Sequence, residues 1–341
     1  MAPAVAPPLR YLSAEDVIAC MPPLDERLAL AERTMRALVA DAELPPKIAV
    51  HPRPPGSFAH AMPAFLRGPA GGGEVPGDAL TAGDGLGMKW VTGFPDNGAA
   101  GLPSIAALVL LNDPATGLAT AILDGGPITA ERTAAVSGVA IRAFAPRIEG
   151  RPTRVAAIGA GTQARSHLPV IGRLLPGLVL TVFDRHEDRA EATAEIAAGT
   201  DGIGAVSVAP DARVAVEGAD VVLTMAAFGP VRQVMTSDWI GSATLVVAVD
   251  YATYVSAELA AAAHLFLVDD RPQFLANRDV GNFDDYPEPS ATIGEALIAG
   301  TPRPAGRVVV SHLGVGLADV VFGGAILAAA ERAGRGTVLP R

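Results

Sequence analysis

Residues Thr153 to His186 read TRVAAIGAGTQARSHLPVIGRLLPGLVLTVFDRH, and this stretch decides the fold. Val155 to Ile158 is a short apolar run of the length of a buried strand. The G-x-G-x-x-A turn Gly159-Ala-Gly161-Thr162-Gln163-Ala164 follows, and the next segment is apolar at helical spacing (Ala164, Leu168, Ile171, Leu175). A second apolar run, Leu178 to Phe183, ends in Asp184, 20 residues past Ala164. Each part has a physical task in holding a dinucleotide. Gly159 permits the tight turn, Gly161 lets backbone approach a pyrophosphate, and Ala164 keeps helix close to strand. The helix N-terminus offers free N–H groups to phosphates, and Asp184 can accept both hydroxyls of a ribose. The expectation is an α/β chain with a doubly wound parallel sheet that binds a dinucleotide.

The composition bounds what surrounds that unit. A length of 341 residues suits two domains. Half the residues are hydrophobic, much of this alanine, and no uncharged apolar window is long enough to span a bilayer. The N-terminus lacks a basic start followed by an apolar segment, so no signal peptide is expected. A single cysteine, Cys20, excludes an internal disulfide and fits a cytoplasmic protein. A formal net charge of −10 argues against a nucleic-acid partner. The six histidines share no ligand spacing, so no metal site is expected.

Of 26 basic residues only two, Lys47 and Lys89, are lysines. A guanidinium stays protonated, whereas a buried ammonium can have its pKa lowered and take part in proton transfer. Lys89 sits among Gly87, Met88, Trp90 and Val91, which is not a surface-like setting.

Taken in order, residues 1–12 read as irregular until Tyr11-Leu12, and Ser13 caps a helix that ends before Pro22-Pro23. A second helix occupies 24–40, and Pro45-Pro46 delivers Lys47 onto an extended segment. Strands are expected at Phe58–Phe65, Leu86–Val91, Ser104–Leu111 (buried) and Leu118–Leu123, with a glycine-dense loop from Gly68 to Gly87. Ile128-Thr-Ala-Glu-Arg132-Thr133 opens a long helix with Thr129 as its cap. Arg132 then lies in the first turn, where it and the helix N-terminus would face one carboxylate. Beyond the nucleotide turn, strands at 205–208, 219–225, 244–249, 265–268 and 308–311 alternate with helices. Ligands of open parallel sheets sit beyond the carboxyl ends of the strands, which singles out Asp250.

These residues resemble the ornithine cyclodeaminase/μ-crystallin family. The resemblance is carried by Met62-Pro63, Gly87-Met-Lys89, Leu102-Pro103 with Thr116-Gly117, Ile128-Thr-Ala-Glu-Arg-Thr-Ala134, Gly159 to Ala164, Asp250, and Gly314 followed by Asp319. It implies a homodimer with two domains. Residues 1–127, completed by 312–341, would form a mostly antiparallel α+β domain that binds substrate and dimerises, closed by the C-terminal helix. Residues 128–311 would form a Rossmann-type domain for NAD(H) or NADP(H), with NAD(H) favoured by Asp184 and Arg185 available to a 2′-phosphate.

The resemblance also implies the site. Lys89 and Arg132 hold a substrate carboxylate, Lys47 stands where the family usually has an arginine, and Met62 and Gly314 complete the substrate set. Asp250 manages protons at nitrogen or water, making Lys89 and Asp250 the catalytic pair. The cofactor set is Thr133, Gly159, Gly161, Thr162, Gln163, Ala164, Asp184, Arg185, Thr224, Val249 and Asp250. After Asp250 the chain departs from the family: Glu258 comes two residues later than usual and the lysine before it is missing, which weakens the case for ornithine.

The reading is an NAD(P)-dependent oxidoreductase that moves hydride at the Cα of a small amino acid or a cyclic imine or ketimine. The alternatives are a cyclodeaminase of ornithine or lysine type that releases ammonia and recycles its NAD, and a non-catalytic protein that binds nucleotide and a small ligand. The expected partners are a small molecule bearing a carboxylate and a second copy of the chain, with neither nucleic acid nor membrane.

Overall fold

The computed structural model describes residues 8–68, 83–227 and 231–340. The chain divides into two compact units, Met1–Arg132 with Val315–Arg341, and Thr133–Gly314. The divisions fall a few residues later than the expected 127/128 and 311/312. The first lies inside the Gly125–Phe144 helix, which starts in one unit and ends in the other. Most of the expected loop from Gly68 to Gly87 lies outside the described residues, and its last three residues already belong to a strand.

The first unit is built on one eight-stranded sheet. Its order runs Thr337–Leu339, Leu9–Leu12, Ala119–Asp124, Ile105–Asn112, Gly85–Gly93, Phe58–Leu66 and Ala42–Glu43, with Ile48–Val50 also paired to Phe58–Leu66. All pairs are antiparallel except Leu9–Leu12 with Ala119–Asp124. The chain start is therefore a strand from Leu9 onward, where irregular backbone is expected from the sequence. Ile105–Asn112 is not buried on both faces: Ala107, Val109 and Leu111 point inward while Ala106 and Leu108 are exposed. Period-2 alternation is what a one-sided antiparallel sheet imposes.

The inward face is covered by the Gly316–Arg332 helix, which packs on Gly85–Gly93, Phe58–Leu66 and Ile105–Asn112 and against the Leu24–Ala37 helix. Small residues let it descend. A Cβ at Gly316 would overlap the Met62 carbonyl oxygen, and one at Gly87 would stand 2.5 Å from the Leu110 carbonyl oxygen. The capping box at Ser13 forms as the sequence implies, with Ser13 and Asp16 each satisfying the other's backbone.

The second unit carries a parallel sheet in the order Ile203–Val208, Leu178–Phe183, Arg154–Ile158, Val221–Thr224, Leu245–Ala248, Val308–Ser311, Leu265–Val268 and Ala291–Thr292. Successive strands spread to one side of Arg154–Ile158 and then restart on its other side. This leaves a switch point between Ile158 and Thr224, where such folds bind ligands. The central strands Val221–Thr224, Leu245–Ala248 and Val308–Ser311 are buried throughout, as strands covered on both faces must be. Among the described residues no helix is long and apolar enough to cross a membrane.

The close seat of the last helix makes a paired prediction. Gly316→Ala forces the helix off Met62 and should cost about 1–3 kcal/mol. Gly324→Ala, on the same helix with open space around it, should be neutral or gain up to about 1 kcal/mol. Thermal denaturation of the two variants reads both; equal melting temperatures would rule out the tight seat.

Candidate active site

In the first unit, three charged side chains meet on the inward face of the sheet. Lys89 points inward because Gly87 and Val91, two residues either way, do the same, and its antiparallel partners are Met62 and Val109. Its Nζ lies 3.0 Å from Asp319 Oδ1 and 2.9 Å from Oδ2, with hydrogen-bond geometry to Oδ1. Arg132 Nε donates to the same Oδ1 at 3.3 Å. All three are buried, at 1% exposure for Lys89, 5% for Arg132 and 0% for Asp319. Burial above all, and next the Arg132 guanidinium, push the Lys89 ammonium down to about 8, against the pull of Asp319. Two cations thus share one carboxylate.

Thr129 contributes differently from the cap the sequence suggests. The helix begins at Gly125, with Asp124 Oδ1 accepting from the Gly126 N–H at 2.9 Å. Thr129 is therefore one turn inside, where its hydroxyl donates to the Gly125 carbonyl at 2.6 Å and accepts from Lys89 Nζ at 3.4 Å. Arg132 is correspondingly not in the first turn of its own helix, and the carboxylate it faces is the Asp319 side chain in the first turn of the Gly316–Arg332 helix. Its neighbour Glu131 pairs with Arg27 instead.

Lys47 is half-buried just ahead of the Ile48–Val50 strand. It is one of the charges that act on His60: burial first, then Lys47, His51 and Lys89, push that imidazole down to about 4. Lys47 and Lys89 thus share one neighbourhood. His60 lies two residues before Met62 on the same strand, stacked on Phe58 with ring centroids 4.5 Å apart.

The second unit gathers the nucleotide residues. Gly159 has φ +99°, and a Cβ there would stand 2.7 Å from the Met225 carbonyl, at the switch point of the sheet. Gly161 and Thr162 are exposed, and a Cβ on Gly161 would meet nothing within 4 Å. The Thr162–Leu174 helix starts there without a side-chain cap, so its first N–H groups stay open to an anion. Ala164 is buried and Gln163 half-buried. Asp184 accepts from the Ala160 N–H at 2.8 Å and the His186 N–H at 2.9 Å, which ties the end of the second strand to the turn. Each oxygen keeps a lone pair for a ribose hydroxyl. Arg185 is exposed, with its Nε 3.2 Å from His186 Nε2. These features fit a dinucleotide.

Asp250 follows the Leu245–Ala248 strand and is 2% exposed. The Thr224 hydroxyl and the backbone of Ala226 and Tyr254 stand close enough to ease its charge, yet none reaches full hydrogen-bond geometry. Burial wins and pushes the carboxyl up to about 7. Val249 holds the neighbouring strand, its N–H donating to the Thr224 carbonyl at 2.8 Å. Thr133 and Gly314 are buried in this unit, and Gly314 N–H donates to Asp269 Oδ2 at 2.7 Å. Among the described residues no group of three His, Cys, Asp or Glu side chains is placed to hold a metal.

Asp319 is the member of the cluster that the sequence marks only as part of a motif. Its partners lie 230 and 187 residues away, so local pattern carries no sign of the pairing. An acid in the first turn of a helix that is then free of charge up to Glu331 is the one available signal.

Comparison with known proteins bears on the family and the fold. The family model described as the ornithine cyclodeaminase/mu-crystallin family matches residues 15–301. The nodulation efficiency protein NfeD of Rhizobium meliloti is 31% identical over 340 residues, covering 97% of this chain and 98% of the relative. Among solved structures, Delta(1)-pyrroline-2-carboxylate reductase of Thermococcus litoralis, in complex with NADH and L-proline, has a TM-score of 0.80 at 24% identity, covering 97% of this chain and 100% of the other. An archaeal alanine dehydrogenase dimer with bound NAD has a TM-score of 0.79 at 24% identity, covering 97% and 99%.

Asp319→Asn should leave two buried cations facing each other without a carboxylate. The expected cost is about 3–5 kcal/mol of stability, the range for breaking a buried ion pair. Urea denaturation measures it; a loss below about 1 kcal/mol would mean that water already screens the cluster.

Proposed function

The chain belongs to the ornithine cyclodeaminase/mu-crystallin family, and from that premise we propose that it is an NAD(P)-dependent oxidoreductase acting at the Cα of a small amino acid or of the corresponding imine. One observation carries the reading: the buried Lys89, Arg132 and Asp319 cluster has one positive charge more than it can neutralise. A buried charge without a partner is costly, and a substrate carboxylate removes that cost by adding a fourth member. Lys89 and Arg132 then fix the carboxylate and with it the orientation of Cα. Nicotinamide, when bound, supplies or accepts the hydride. Asp250, with its pKa near neutrality, takes a proton from the substrate nitrogen in one direction and returns it in the other.

NAD(H) is the favoured cofactor, since the Asp184 carboxylate would repel a 2′-phosphate. NADP(H) remains open to the chain through Arg185 if that side chain leaves His186. The solved relatives bind NADH and NAD by their descriptions, which supports the first choice. The single cysteine suits a reducing cytoplasm.

The chain is further proposed to work as a homodimer through the outer face of its first sheet. Ile48, Ala61, Trp90 and Leu108 form one row across four strands, and Ile48, Trp90 and Leu108 are exposed there, with Val50 beside them. An apolar sheet face of that kind is a surface that chains usually cover. Light scattering at micromolar concentration should give twice the chain's mass, and Trp90→Glu with Leu108→Glu should give the monomer. A monomeric parent protein would end the proposal.

The test of function is oxidation of NADH with a five-membered cyclic imine carboxylate, run in reverse with L-proline and L-alanine. Lys89→Ala should raise KM by roughly 10–100-fold, the loss of a charge-assisted hydrogen bond of about 1.5–3 kcal/mol, while NADH affinity stays constant. Amino-acid oxidation needs Asp250 ionised, so kcat/KM should fall as pH drops below about 7. It also needs Lys89 charged, so kcat/KM should fall as pH rises above about 8. Wild-type KM in Lys89→Ala, or a profile without the alkaline limb, would remove Lys89 from the site.

A further inference from the structure

A buried chain of hydrogen-bonded side chains lies in the second unit, outside the groups used above. Ser137 Oγ stands 2.8 Å from His312 Nε2 and 2.8 Å from His167 Nε2, and His167 Nδ1 stands 2.6 Å from the Gln163 carbonyl oxygen. The three side chains are 0–1% exposed. They come from three elements: Ser137 from the Gly125–Phe144 helix, His167 from the Thr162–Leu174 helix, and His312 from the residue after the Val308–Ser311 strand.

The proton positions in this chain follow from chemistry. A carbonyl oxygen only accepts, so His167 Nδ1 carries its hydrogen. Burial pushes the His167 imidazole down to about 4, so the ring is neutral at pH 7 and its Nε2 is an acceptor. The single Ser137 hydroxyl proton is therefore given to His167. The hydroxyl oxygen must then accept from His312, which fixes His312 with its hydrogen on Nε2. Every bond points the same way, from His312 through Ser137 and His167 to the Gln163 carbonyl.

We propose that Ser137, His167 and His312 are positioning residues that aim the nucleotide turn by holding the Gln163 carbonyl. The physical link is the planar peptide bond: the Gln163 carbonyl and the Ala164 N–H belong to one rigid unit, so anchoring the first orients the second. The first intrahelical bond of this helix runs from the Arg165 N–H to the Gly161 carbonyl. The Ala164 N–H therefore belongs to the open donors at the helix N-terminus, which a pyrophosphate would use. Ser166 reinforces the anchor, its hydroxyl donating to the same carbonyl at 3.0 Å. Ser137 also stands one helical turn past Thr133, so its tie to His167 sets the register of that residue against the turn. The purpose of the chain rests on the dinucleotide reading above, but its geometry does not.

Imidazole nitrogens report tautomers directly, so the protein labelled with 15N-histidine is measured by long-range proton–nitrogen NMR at pH 7, alone and with NADH. His167 should be protonated at Nδ1 and His312 at Nε2, each as a single tautomer, with signals assigned from His167→Gln and His312→Gln. Ser137→Ala should return His312 to a tautomer mixture and weaken NADH binding roughly tenfold in a fluorescence titration, as loss of one buried hydrogen-bond node predicts. His312→Gln, whose amide nitrogen stands where Nε2 stood, should keep the His167 tautomer and bind NADH within about twofold of the parent. That variant also decides the matter if Ser137→Ala does not fold. A His167 protonated at Nε2, or Ser137→Ala binding NADH as tightly as the parent, would overturn the proposal. A parent protein with both tautomers in place that binds no NADH would overturn the dinucleotide reading and, with it, the positioning role.

Discussion

The ion cluster of Lys89, Arg132 and Asp319 is the constraint on which the first unit depends. Its members come from a central strand, a helix and the last helix of the chain, and none can be buried without the others. Desolvating three charges costs more than their mutual attraction returns in most proteins, so an apolar trio would hold the same elements together at least as well. What the charges leave is a buried cluster in which two cations share one carboxylate, the feature on which the proposed carboxylate site rests. The neighbouring structure conforms to this. Gly87 and Gly316 omit side chains so that the last helix can come down on the sheet, and Asp319 sits in the first turn of that helix, where its charge is also favoured by the dipole.

The second unit meets the problem of buried polarity in the opposite way. No cation figures among the groups that set the Asp250 pKa, so its escape from the cost of burial is to hold a proton near neutral pH. His167 escapes by giving its proton up. The Lys89 cluster thus keeps opposite charges together, while burial favours the neutral forms of Asp250 and His167.

How much of this is legible in sequence follows from the range of each interaction. The nucleotide turn is legible because its strand, glycines, helix and acid lie within a few tens of residues, and each has a local conformational requirement. Lys89 is legible from composition, since a chain rich in arginine retains so few lysines. The start of the Gly125–Phe144 helix is not. The sequence places it at Ile128 with Thr129 as cap, yet proline fits a first turn and Asp124 supplies the cap. Leu9–Leu12 and Thr337–Leu339 become strands only by pairing with each other at opposite ends of the chain. The histidines reveal nothing by spacing because His167 and His312 meet at one serine hydroxyl, a junction that sequence distance does not encode.

The segment after Asp250 shows the same limit from the other side. The sequence marks it as two residues longer than the family pattern, but length alone does not say how the extra residues are accommodated. Tyr251 and Ala252 both adopt left-handed backbone, with φ of 50° and 60°. Non-glycine residues held there cost of order 1 kcal/mol or more each. Such strain persists only where surrounding bonds over-determine it, and here they do. The Tyr251 hydroxyl donates to the Leu313 carbonyl at 3.2 Å, and the Ala252 carbonyl accepts from the Gln233 N–H at 3.0 Å. Gln233 is itself left-handed, and its side chain spans from the Ala257 N–H to the Asp284 carbonyl. Three loops are thereby bound to one another immediately beyond the Asp250 carboxyl. The sharp reversal keeps Asp250 at the buried end of its strand rather than releasing it to solvent, so the strain and the raised pKa have a common origin in the same backbone path.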